Sequence, residues 1–214
     1  MSSSPLGETR NSVRSSKRVG LFLGGRMKSK SIAVYALMSA LVMVATFVIR
    51  IPMMATDGYL NLGDGIILFC GVAFGPIPGL IAGGIGSALA DMIAGYAHWI
   101  LPTFLIKGAE GALAGLLFHF LRKGNKNRFL YAGIATLPSA ILMVVGYFFA
   151  SWIMKGSAAV AFTSVPGNAI QGAVGIALCY LLLFNTSRIK TFSSLVGKNQ
   201  FYDEPQPQEN EKKD

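Results

Sequence analysis

Apolar side chains in this chain come in long runs, with neither the strict alternation of a half-buried strand nor the single stripe of a surface helix. About 20 apolar residues cross the hydrocarbon core of a bilayer. The first run, Ser31–Ile49, is ended by Arg50 and Pro52. The apolar stretch Gly65–Ile100 is broken by Gly75-Pro76-Ile77-Pro78-Gly79, a dense turn signal that divides it into spans at about 63–75 and 79–96. A fourth span runs over about 102–121, with Pro102 in its first turn, where proline is tolerated. A fifth covers about 129–154, kinked at Pro138, and a sixth about 166–185. The pattern predicts an all-α integral membrane protein, a compact bundle of six transmembrane helices over 31–187.

Composition supports lipid as the solvent. Hydrophobic residues make up 52% of the chain and charged residues 14%, against about 25% charged in a soluble domain. Charges gather at the ends: a Ser-, Gly- and Lys/Arg-rich arm over 1–30 and a polar tail over 188–214, both expected to be disordered. Met27-Lys28-Ser29-Lys30 reads as a natural start for the first span, which makes residues 1–26 either a dispensable extension or the product of an upstream start site. The first apolar run is longer than a signal-peptide core, and no A-x-A-like cleavage site follows it, so it reads as a retained helix.

The second span is short and could be re-entrant. Charge parity decides for a crossing. With the basic arm inside, six crossings also place Arg122, Lys123, Lys126 and Arg128 inside, as the positive-inside rule expects. Both termini are then cytoplasmic, in the cell membrane. The external loops carry Asp57 and Asp64 in the first, Asp91 at the border of the second, and Lys155 in the third. The net charge of +9 follows this topology and matches no nucleic-acid-binding module.

Polar residues inside the spans are costly and therefore informative. Lys107 and Glu110, at i and i+3 on the fourth span, are close enough to pair, or one of them offers a charge to a ligand. Asn168 and Gln171 share a face of the sixth span, and two carboxamides can read the donor and acceptor edge of a heterocycle; interhelical hydrogen bonding is the alternative. Tyr147 supplies a stacking ring and a hydroxyl. Asp57-Gly58-Tyr59-Leu60-Asn61-Leu62-Gly63-Asp64 suits a loop that closes over a site, and Asp64 suits the start of a helix. His98 and Trp99 read as interfacial. Cys70 and Cys179 lie inside apolar segments as small hydrophobes, with no metal or disulfide framework. Small residues spaced by four (Ala36/Ala40, Gly79/Gly83, Ala82/Gly86/Ala90, Gly111/Gly115) let backbones approach, either within the bundle or against a partner membrane protein.

Enzyme chemistry has little support. Gly86-Ser87-Ala88 lacks the turn of an intramembrane serine protease, and neither H-E-x-x-H nor a P-loop is present, so ATP-driven work falls to another chain. A stand-alone secondary transporter, for which no inverted repeat is found, and a membrane scaffold that binds no solute are the rival classes.

The motifs Gly58-Tyr-Leu-Asn-Leu-Gly-Asp64, Gly75-Pro76 and Gly83-Gly-Ile-Gly-Ser-Ala-Leu-Ala-Asp91 resemble the substrate-binding S components of energy-coupling factor (ECF) transporters, a type of ABC importer. Pro102–Gly111, Val145–Phe148 and Pro166–Gly172 extend the likeness over about 31–187. It is strongest with the riboflavin-type family, which includes proteins assigned to hydroxymethylpyrimidine and pyridoxine. The resemblance implies capture of a water-soluble vitamin or its precursor near the outer face, hydroxymethylpyrimidine or pyridoxine first and riboflavin second. It implies delivery with a membrane coupling subunit and two cytoplasmic ATPases, and no cofactor or metal. Ligand contacts would fall to Asn61, Lys107, Glu110, Tyr147, Asn168 and Gln171. Partner docking would fall to Ala36 and Ala40 on the first helix and to Ala82, Gly86 and Ala90 on the third, where a glycine replaces one of the family's alanines.

Overall fold

The computed structural model describes residues 29–54, 56–122 and 127–188. The arm over 1–28, Lys123 and Lys126, and the tail from 189 lie outside the described residues.

Helix α1 (Ser29–Val48) leads into a two-stranded antiparallel hairpin, β1 (Arg50–Met53) and β2 (Gly58–Asn61), with Arg50 opposite Asn61 and Met53 opposite Gly58. Asp57, just before β2, takes a left-handed φ of 50°, which aspartate tolerates better than most residues. The sequence predicted a plain loop here. Four-residue strands, one of them containing Pro52, leave no alternation to detect.

Helix α2 (Gly63–Phe74) ends at Gly75, whose φ of 109° is open to glycine and strained for other residues, and α3 (Pro76–Ala94) begins at once. The chain turns where the sequence placed the break. A 3₁₀ turn (Ala97–Trp99) links α3 to α4 (Ile100–Leu121). Helix α5 (Arg128–Lys155) contains Pro138, a five-residue α6 (Ala158–Phe162) follows, and α7 (Val165–Ser187) completes the bundle. Helix α6 lies in what the sequence presented as a loop.

The six long elements run alternately up and down. The hairpin, the 3₁₀ turn and the start of α7 meet at one end, where Trp99 Nε1 donates to the Asp57 carbonyl and Gly167 faces Leu60. At the other end Tyr180 of α7 donates its hydroxyl to the Phe129 carbonyl at the start of α5. Among the described residues, four helical segments are long and apolar enough to cross a membrane; Ile32–Val48 and Gly63–Phe74 are shorter apolar helices. With 12 residues, α2 is about 18 Å long, well under the hydrocarbon thickness. Its apolar surface runs all round, and neighbours cover it on every side. Gly63, Asp64, Gly65 and the run Ile67–Ala73 are all buried, and Ile67, Leu68, Cys70 and Val72 form the core with Phe118 and Leu183.

Glycines bring α2, α3 and α4 together backbone to backbone. A Cβ on Gly79 would overlap the Gly111 carbonyl, and one on Gly83 would overlap the carbonyl of Lys107. This close packing fixes the height at which Lys107 enters the bundle.

Candidate substrate-binding site

At the hairpin end, the helix termini enclose a small cavity. Its walls include Asn61, Asp91, Trp99, Lys107, Tyr147 and Asn168. Thr46, Thr56 and Ser87 add hydroxyl groups. The free volume is about 30 Å³, room for about two waters, whereas an apolar cavity that takes up benzene measures about 150 Å³. At this volume a ring-sized ligand is seated only as the wall residues move apart.

Beneath the cavity lies a buried ionic cluster. Lys107 is 1% exposed; its ammonium bonds the Asp64 carboxylate and donates at 3.2 Å to Glu110 Oε2. The i, i+3 spacing predicted the Glu110 contact. The Asp64 contact comes from the other side, from the first turn of α2. Gln171 closes the group: its Nε2 donates to Asp64 Oδ2 at 2.9 Å, while its Oε1 accepts the backbone N–H of Asn61 at 2.8 Å. Asn61 turns its own Oδ1 back to the Gly63 N–H at 2.9 Å, steadying the start of α2. A buried charge is tolerated only when paired and hydrogen-bonded, and Asp64 spends both its oxygens on this.

Of the six residues expected to bind ligand, the structure places Asn61, Lys107, Tyr147 and Asn168 on the cavity wall. It sets Glu110 and Gln171 behind it, as partners of Lys107 and Asp64. Asn168 and Gln171 do share a face of α7, but Gln171 sits almost one turn deeper, level with the ionic cluster.

Sequence reasoning missed several wall residues. Trp99, read as interfacial, is 4% exposed and lies 5.7 Å from the Tyr147 ring, centroid to centroid. Tyr59 donates its hydroxyl to Asp91 Oδ1 at 2.5 Å, tying the hairpin to the last turn of α3. Burial pushes the Tyr59 phenol well above its ordinary range, and the neighbouring Asp91 charge adds to this, so Tyr59 stays a donor. At the mouth, Lys155 bonds Asp57 Oδ2 at 2.5 Å and holds that carboxyl below its usual range. Asp64 and Asp91 each carried a usable signal: an acid at the edge of an apolar span is costly unless it has work to do.

The expected docking faces separate. Ala36 and Ala40 are exposed on α1 and, with Tyr35, Met43, Ile81 and Ile85, line an apolar groove of about 390 Å³ between α1 and α3. Ala82, Gly86 and Ala90 are instead turned into the bundle. Ala82 and Ala90 are fully buried, and a Cβ on Gly86 would press on the Ser39 carbonyl and Val42 of α1. That correction has a simple cause: small-residue spacing permits close approach but does not name the helix that approaches.

Fold and site together define a helical membrane protein with a polar, enclosed site at one end. The model of the family "ECF-type riboflavin transporter, S component" matches residues 26–188. The chain belongs to this family and is an S component of an ECF transporter. It is 41% identical over 146 residues, covering 66% of this chain and 93% of the relative, to an uncharacterized protein of Pyrococcus woesei. It is 30% identical over 154 residues, covering 72% of this chain and 85% of the relative, to the thiamine precursor transporter HmpT of Lactococcus lactis. Its fold matches a solved bacterial ECF-transporter S component with a TM-score of 0.57 at 20% identity, covering 78% of this chain and 98% of that one.

Proposed function

We propose that this chain captures a small vitamin or vitamin precursor for import, hydroxymethylpyrimidine or pyridoxine first and riboflavin second. The observation that carries the reading is the set of polar atoms left without partners around one cavity: Thr56 Oγ1, Ser87 Oγ, Asp91 Oδ2 and Asn168 Nδ2. A buried polar atom without a partner is costly, and four around one cavity fit a ligand that satisfies them. Trp99 and Tyr147 offer aromatic faces to a planar ring. The likeness to HmpT points the same way.

The bilayer is crossed six times, with α2 as the short central pass and both termini cytoplasmic in the cell membrane. The site then faces outward, with Asn61, Lys107, Tyr147 and Asn168 in contact with ligand. A membrane coupling subunit and two cytoplasmic ATPases supply the energy, and the groove beside Ala36 and Ala40 seats the coupling subunit.

Two measurements test this reading. Mass spectrometry of small molecules released from the purified protein should find a vitamin or precursor in stoichiometric amount. Co-purification should recover the coupling subunit with both ATPases. Gradient-driven uptake by the lone chain would overturn the reading in favour of a secondary transporter.

A further inference from the structure

We infer that Asp91 selects the ligand by charge and donor pattern: the site takes a phosphate-free ring that presents an amine or another N–H donor to Asp91 Oδ2. The inference rests on the vitamin-capture reading and deepens it at one residue.

Asp91 lies in the last turn of α3 and is 2% exposed. One carboxylate oxygen is occupied by the Tyr59 hydroxyl at 2.5 Å; the other, Oδ2, lies at the cavity with no hydrogen bond completed, although the Thr103 hydroxyl on the same wall stands beside this carboxylate. Among the described residues, no Lys, Arg or His forms an ion pair with it. Lys107 also reaches the cavity, yet its ammonium is taken up by Asp64 and Glu110. Two carboxylates therefore take up the one ammonium, and Asp91 is left without an ion-pair partner. The carbonyl end of α3 adds negative potential at Asp91.

The remaining free groups shape what can bind. Ser87 lies one turn before Asp91 on the same face of α3, with its hydroxyl unpartnered and 1% exposed. Asn168, at the start of α7, brings an unpartnered amide N–H to the same cavity. A ring carrying an amine beside an acceptor nitrogen would give its donor to Asp91 and receive from Asn168 or Ser87. A phosphate ester would bring negative charge toward carboxylates that have no cation to spare, which is strongly disfavoured.

Calorimetric titration of the full-length protein in lipid nanodiscs tests this with three probes. These are 4-amino-5-hydroxymethyl-2-methylpyrimidine, the same ring with hydrogen in place of the amino group, and the phosphate monoester of the first. The amino ring should bind at least about tenfold more tightly than the ring lacking the donor, and the phosphate ester should not bind. Asp91→Asn should lose most of the affinity for the amino ring and erase the preference. Equal affinity for the two uncharged rings, tight binding of the ester, or a preference that survives Asp91→Asn would overturn the inference. If Asp91→Asn does not fold, the comparison among probes on the unaltered protein decides alone. Tight binding of riboflavin with no binding of the amino ring also overturns it, while leaving the vitamin-capture reading intact. Failure to assemble with ATPases would strike that reading instead and leave the titration result standing.

Discussion

Lys107 on α4 bonds Asp64 on α2, a partner 43 positions earlier in the chain, and neither side chain reaches solvent. This bond and the Glu110 contact neutralise the buried ammonium directly below the cavity. Removing one partner of a buried ion pair leaves the other charged and unsolvated, at a cost of about 3–5 kcal/mol. Lys107→Met should therefore lower the thermal midpoint more than any other single change at the site, since it strands two carboxylates. Adding Asp64→Leu and Glu110→Leu should recover much of the loss. Thermal unfolding in detergent reads this out, and a triple variant no more stable than Lys107→Met would refute the account.

The two carboxamides of α7 should part company. Asn168→Leu removes a wall group whose amide N–H donors bond nothing in the protein, so stability should hold while ligand affinity falls. Loss of one neutral hydrogen bond costs about 0.5–1.5 kcal/mol, or about 2- to 13-fold in affinity. Gln171→Leu cuts the bonds to the Asn61 N–H and to Asp64. Its first effect should be a drop in thermal midpoint, with affinity following. Titration paired with unfolding on both variants separates them.

Much of this was legible in the sequence, for physical reasons. Long apolar runs, the Gly75-Pro76 break and the placement of basic residues each report on a local or solvent constraint, so the long helices lie within a few residues of the spans expected. The i, i+3 spacing of Lys107 and Glu110 is equally local, and that contact was expected. The Asp64–Lys107 bond, the Gln171 bridge and the burial of Trp99 depend on which helices become neighbours, and no window of sequence carries that. The inward turn of Ala82, Gly86 and Ala90 fails to show for the same reason. The acids were the available clue: Asp64 and Asp91 stand at span edges, and both prove to be buried.

The small residues of α1 and α3 should respond in opposite ways. Ala36→Leu or Ala40→Leu fills an open groove, so folding and ligand binding should persist while assembly with the coupling subunit and uptake decline. Gly86→Val forces a side chain against the Ser39 carbonyl and Val42. Overpacking of that kind costs about 1–3 kcal/mol, so stability should fall first. Uptake assays beside unfolding curves distinguish the two, and normal uptake with Leu at both α1 positions would remove the groove from partner docking.

Topology can be read with an impermeant thiol reagent on intact cells. Cys70 and Cys179 are buried and should stay silent as background. A cysteine placed at Ser157, between α5 and α6, should label, and one placed at Asn125 should not. Labelling at Asn125 would reverse the orientation and defeat the six-crossing arrangement.

Trp99 should report closure of the hairpin. Its indole N–H holds the Asp57 carbonyl at 2.9 Å, and its ring lies beside Tyr147 at the cavity, so a ligand cannot enter without shifting it. Trp152 is the chain's other tryptophan and lies outside the cavity wall on α5, near Phe148 and Phe149. Ligand-induced change in tryptophan fluorescence should persist in Trp152→Phe and vanish in Trp99→Phe. Trp99→Phe also gives up the bond that latches the hairpin while keeping an aromatic ring at the cavity. Ligand should then both enter and leave faster, and the looser closure should weaken affinity by up to the 2- to 13-fold expected for about 0.5–1.5 kcal/mol. Stopped-flow fluorescence on the unaltered protein reports the closure, and calorimetry on the variant measures the affinity. A full signal in Trp99→Phe would mean that the hairpin does not move over the ligand.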